Sequence, residues 1–164
     1  MRNAFLSYQI FDFIAIFCPF YPIPQKIVAQ KPKTISSKEE FEVIKTHCMQ
    51  GANMLRRLEN FEDESLLQTA YDIARWHHER WDGRGYPDGL KGNDIPISAQ
   101  IVSLADVYDA LTSERCYKKA FSHETAMRMI LNGECGAFNP LLLECLTDIQ
   151  AELQKKSQNI TVNR

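Results

Sequence analysis

Apolar positions recur three and four apart through most of the chain and no stretch alternates with period two, so the pattern predicts an all-helical protein. Phe41, Ile44, Cys48, Leu55 and Leu58 form one stripe, with His47 at its edge. Ser36 and Ser37 stand three residues ahead of Glu39 and Glu40, a capping-box start for that helix. A second helix is predicted over Glu64 to Trp81, with Leu66, Ala70, Ile73 and His77 on one face and Leu67, Tyr71, Ala74 and His78 beside it. Gly83, Gly85, Gly89 and Gly92 then fall close together with Pro87 and Pro96, which marks the main irregular loop. Ser98 is the expected cap of a helix ending near Thr112, and Ser122 and Gly133 bracket the next. Asn139-Pro140 supplies an N-cap and first-turn proline for a last helix carrying Leu142, Leu146, Ile149 and Leu153. The polar tail from Lys155 is expected to fray.

With 164 residues the chain suits one domain with a single core. Its net charge of -2 offers no basic field for a nucleic-acid polymer, so any phosphate binding must be local. The five cysteines are odd in number and never spaced C-x-x-C, which argues against a disulfide framework or a thiolate zinc site and fits a reducing cytoplasm. The opening MRNAFLSYQIFDFIAIFCPFYPIP is the most apolar part. Asp12 interrupts it, no small-residue cleavage site follows, and the run is too short to span a bilayer, so a buried or partner-covered segment is expected rather than a membrane role.

The residues that draw attention are histidines and carboxylates on three separate segments. Neutral imidazole and carboxylate suit divalent zinc, iron or manganese, and helical bundles gather such ligands from facing helices. His77 and His78 differ by about 100° of helical rotation, so from a regular helix they would flank two ions rather than converge on one. Asp106 and Asp109 share a helix face. His47 precedes Gly51 by four residues, and the glycine leaves room above the imidazole. Each feature also has an ordinary reading: a packed core histidine, a capped helix end, a solvated aspartate, or an acceptor that orients a histidine. Taken together they favour a site.

The stretch HHERWDGRGYPDGLKGNDIP followed by SAQIVSLADVYDALTSERCYKKAFS resembles the HD-GYP family of metal-dependent phosphohydrolases, and the likeness runs from about Ile23 to Leu146, including IPQKIV, KTHCMQGANML and FNPLLLECL. The resemblance implies an all-α bundle of the HD superfamily around a binuclear or trinuclear iron or manganese site. It also implies a bacterial signalling enzyme that hydrolyses cyclic di-GMP. Matched position by position, His47, His77, His78 and Asp106 take metal-ligand places, Asp106 and Asp109 the catalytic carboxylates, and Arg115 and Lys118 the phosphate-binding cations. Gly85, Tyr86 and Pro87 match the loop that shapes the substrate entrance and offers a docking surface to a partner protein.

The family's His-Asp dyad lies in an HD-x-G-K-x-x-I-P stretch, and only its end is present here. Ile23-Pro24 match the I-P, but Ile16 and Phe17 stand where the dyad belongs and Phe20 where the lysine belongs. The first helix or helices of the bundle, with an earlier glutamate ligand, are expected to be missing. The expected layout is an atypical apolar segment at 1–22, a partial HD-GYP domain at 23–153 and a polar tail at 154–164. The expected metal site is incomplete and hydrolysis is impaired, through truncation, frameshift or degeneracy. The alternative is a silent module that binds a cyclic dinucleotide or a protein.

Overall fold

The computed structural model describes residues 38–58, 64–113 and 119–162. The apolar opening, the Ile23-Pro24 remnant, the Ser36-Ser37 cap and both phosphate-binding candidates, Arg115 and Lys118, lie outside them. The described residues form helices and no strand: α1 (Lys38–Leu55), α2 (Glu64–Trp76), α3 (Ile97–Thr112), α4 (His123–Leu131) and α5 (Pro140–Val162), with a 3-10 turn at Gly92–Asp94. Successive helices pack in order, α1 on α2, α2 on α3 and α3 on α4.

Among the described residues two apolar clusters hold the bundle. Leu104, Tyr108 and Leu111 of α3 meet Ala126, Met127 and Ile130 of α4, with Phe138 and Leu146 closing the cluster from the α5 side. Ala52 and Leu55 of α1 meet Ala70 and Tyr71 of α2 in the second. Ile130 is wholly buried, and full burial of such a side chain stabilises by about 1.5–3 kcal/mol. The α1 stripe is only half used: Cys48 and Leu55 are buried, whereas Phe41 and Ile44 stay 43% and 47% exposed.

The helix borders follow local chemistry with three differences, one of them the end of α2 at Trp76 rather than Trp81. Ser122 accepts from the Thr125 amide and starts α4, Gly133 in the left-handed region follows its end, and Asn139 Oδ1 accepts from the Leu141 amide at the start of α5. Ser98, expected as a cap, sits inside α3; Pro96 is the N-cap, its fixed φ setting the turn and its carbonyl taking the Gln100 amide. The tail does not stop being helical at Lys155, because nothing in KKSQNITV breaks a helix, and α5 runs on to Val162.

The long connection between α2 and α3 is pinned at both ends. Asp88 accepts from Arg75 Nε and Nη2 at 2.8 and 2.9 Å and from Trp76 Nε1 at 2.7 Å, which ties the loop back to the last turn of α2. On the other side the Trp81 amide donates to the Ala137 carbonyl, and Gln100 bridges the Ile95 carbonyl and Asn139. The Arg75 guanidinium holds the Asp88 carboxyl below its ordinary 3.8. A depressed carboxylate stabilises fully above 3.8 and progressively less as pH falls through its lower folded value. Urea unfolding of the wild type is therefore expected to lose on the order of 1–2 kcal/mol between pH 4 and 2 that Asp88→Asn does not lose, since the pair is partly solvent-screened. Equal pH slopes in the two proteins would contradict this account of the loop.

Candidate metal centre

α1 and α2 bring their histidines to one point. His47 Nδ1 donates to the Ile44 carbonyl at 2.7 Å, and His77 Nδ1 donates to the Ile73 carbonyl at 2.8 Å. A carbonyl only accepts, so each ring carries its proton on Nδ1 and, when neutral, leaves Nε2 as a bare lone pair. Those two Nε2 atoms face one another at 3.3 Å. With no proton between them this is a repulsive contact, and a cation lodged beside both nitrogens relieves it. Pinning the distal nitrogen to a carbonyl is also how metal-binding histidines are generally oriented.

His78 completes the group. Its ring centroid lies 4.2 Å from that of His77 and 5.0 Å from that of His47. The two neighbours do not diverge as a continuous helix would require, because α2 ends at Trp76 and the pair sits in the turn that follows. One ligand atom each from His47, Cys48, His77 and His78 all lie within 4.8 Å of one another. Burial pushes His77 below its ordinary value and His78 down to about 2, the neighbouring imidazoles adding to the effect, so these rings are neutral at physiological pH.

The other expected residues divide. Asp106 on α3 is outside that close group, but it is half-buried and near enough to favour the protonated His77 and the charged Arg80. Asp109 is exposed, its carboxylate taking the Ser113 hydroxyl at 2.9 Å, and the structure does not bring it to the histidines. Gly51 makes no room over His47; its α-carbon faces Ala74, a built Cβ lying 3.5 Å from the Ala74 Cβ.

The Gly85-Tyr86-Pro87 loop is part of the site's wall. The Tyr86 amide donates to the His78 carbonyl at 3.3 Å, and the Tyr86 ring stacks on His78 with centroids 4.8 Å apart. Phe41 meets the Tyr86 ring edge-on from α1. The Tyr86-Pro87 peptide is cis.

Sequence reasoning missed three participants. Cys48 passed for a core residue of the stripe, although its place beside His47 was a signal. Glu79, third in the His-His-Glu run, is 2% exposed and turns inward: Oε1 accepts the Asp88 and Gly89 amides at 2.8 and 3.0 Å. Its Oε2 is buried with no partner among the described residues, and burial pushes the carboxyl up against the opposing effect of the two amides. Arg80 is the third. It donates to Ser103 Oγ at 2.7 Å and to the Glu79 carbonyl, linking the histidine turn to the helix that bears Asp106.

An all-α bundle that gathers three imidazoles and a thiol defines the class as a divalent-metal-binding helical domain. Residues 20–137 match the family model described as HD domain, and the chain belongs to that family, in its HD-GYP type. It is 42% identical over 74% of its length to a probable cyclic di-GMP phosphodiesterase of Vibrio cholerae, and 40% identical over 80% to a cyclic di-GMP phosphodiesterase of Thermotoga maritima. The chain spans only 28% and 34% of those two relatives. A solved cyclic GMP-AMP specific phosphodiesterase of V. cholerae shares the fold, with a TM-score of 0.52, 21% identity, and coverage of 92% of this chain and 36% of that one. The family implies a divalent metal, and the donor set fits one.

The loop's dependence on glycine can be measured. A Cβ at Gly85 would stand 2.3 Å from the Glu79 α-carbon and 2.4 Å from the Arg80 amide nitrogen, both rigid backbone. Gly85→Ala is expected to destabilise by about 1–3 kcal/mol in thermal or urea unfolding and to weaken metal binding through His78. A variant as stable and as metal-competent as the wild type would refute the close approach.

Proposed function

We propose that this domain is an HD-GYP-type phosphodiesterase site for cyclic di-GMP, held by His47, His77 and His78 around iron or manganese and slowed by the lack of a His-Asp dyad. What carries the reading is the facing pair of Nε2 lone pairs at 3.3 Å, each tautomer fixed by a helix carbonyl. The names of the V. cholerae and T. maritima relatives supply the substrate class. When bound, a divalent ion would supply an activated water at neutral pH and offset charge developing on the phosphate. Asp106 balances charge beside His77, and Tyr86 with Gly85 and Pro87 walls the entrance. Arg115 and Lys118 clamp the phosphates, an assignment that rests on their matched positions in SERCYKK. Scattered thiols suit a reducing cytoplasm, and among the described residues no helix is long and apolar enough to cross a membrane.

The dyad's absence limits rate rather than binding. Ile16 and Phe17 stand at the dyad's two positions and neither is a ligand residue. Loss of such ligands costs several kcal/mol of transition-state stabilisation, roughly a thousandfold or more in rate. That same feature favours the competing reading, a module that binds a cyclic dinucleotide, or a protein at the Gly85-Tyr86-Pro87 loop, without cutting.

Metal analysis of the purified chain, with hydrolysis of cyclic di-GMP and 3'3'-cGAMP followed by chromatography, tests both. Bound iron or manganese with slow turnover, both lost in His77→Ala, is the expected outcome. Nucleotide binding with no turnover would replace the enzyme by the silent module, and a wild type that holds no divalent ion would end the metal-centre reading.

A further inference from the structure

We propose that Cys48 is a metal ligand, so that the site takes a single borderline-soft divalent ion, zinc or ferrous iron, in a three-nitrogen, one-sulfur shell. This rests on the reading of the three histidines as ligands; of the two ions named for that reading it favours ferrous iron over manganese, and it adds zinc. The geometry supplies the argument. Zinc-like bonds of about 2.0–2.1 Å to nitrogen and about 2.3 Å to sulfur, at tetrahedral angles, separate two nitrogens by about 3.3 Å and nitrogen from sulfur by about 3.6 Å. The structure has His47 Nε2 3.3 Å from His77 Nε2 and 3.5 Å from Cys48 Sγ. Two edges of a tetrahedron are thus already set, and the four donors lie within 4.8 Å throughout.

The thiol also has the right surroundings. Cys48 is wholly buried on α1, beside His47 and facing the α2 turn, so its sulfur points to the imidazoles and not to solvent. Without an ion its S–H is placed to donate to the lone pair of His47 Nε2. On binding, that proton leaves to solvent, the sulfur becomes a thiolate, and the S–H···N contact becomes two bonds to a common ion. Among the described residues no carboxylate belongs to the close group. Manganese prefers oxygen donors whereas imidazole with thiolate suits zinc and ferrous iron, so this shell discriminates against manganese.

The probe is cobalt(II), titrated into the full chain and into Cys48→Ala and Cys48→Ser, with far-ultraviolet circular dichroism to confirm folding. Wild type is expected to show tetrahedral visible bands together with a near-ultraviolet sulfur-to-cobalt charge-transfer band. Both variants should keep weaker visible bands and lose the charge-transfer band, with zinc affinity falling by roughly 100-fold or more, beyond what loss of an outer partner costs. Cobalt bound by the wild type without the sulfur band, or a band that survives in Cys48→Ala, would reduce Cys48 to a hydrogen-bond donor and leave the histidine site standing. No cobalt or zinc bound by the wild type would remove the histidine reading as well. Manganese bound as tightly as zinc would overturn the ion preference.

Discussion

Two imidazole nitrogens that face one another at 3.3 Å, each with its ring proton held on the far side, are the constraint on which the rest of this structure turns. Helix α1 fixes the tautomer of His47 through Ile44, and α2 fixes that of His77 through Ile73. Neither ring can relieve the contact by moving its proton without giving up a carbonyl partner. The packing of α1 on α2 through Ala52, Leu55, Ala70 and Tyr71 therefore sets the separation of the two nitrogens. Apolar burial holds the donors of the candidate cation site together, which is preorganisation in the ordinary sense: the cost of bringing them together is met by the core.

The loop between α2 and α3 extends the same logic to His78. It is tied by the charge-assisted bonds of Arg75 to Asp88, by Trp76 to Asp88, and by the Asp88 and Gly89 amides to Glu79. Between those ties the backbone at Gly85 lies against Glu79, and Tyr86 is carried onto the His78 ring. Metal site and loop are accordingly one unit. A partner or substrate that moves Tyr86 moves the wall against which His78 is held.

How much of this was legible follows from how local each determinant is. The starts of α4 and α5 were readable because Ser122 and Asn139 act on amides two or three residues away. The candidate roles of His47, His77 and His78 were legible because their residue type and the motif around them point to metal chemistry, and the structure brings the three rings together. The end of α2 was not, since the turn after Trp76 is held by contacts such as Trp76 Nε1 to Asp88, twelve residues on, and periodicity sees only what lies within a turn or two. Cys48 fell on the apolar stripe and was read as core, which it also is. Glu79 looked like one more charged residue at a helix end until its carboxylate was seen folded under the loop.

Charge gives a last reason for the composition of the site. Three imidazoles bring no negative charge, and Arg80 is a largely buried cation bonded to Ser103 and to the Glu79 carbonyl. A divalent ion placed among these groups adds positive charge where desolvation already penalises it. Asp106 offsets part, acting on both His77 and Arg80. Glu79 offsets little, because its one bonded oxygen is committed to loop amides and burial favours its neutral form. The neutral Cys48 thiol, pushed up to about 12 by burial, costs nothing while the ion is away. It becomes the missing negative charge only when an ion displaces its proton, so the same side chain suits the apolar stripe in one state and the cation in the other.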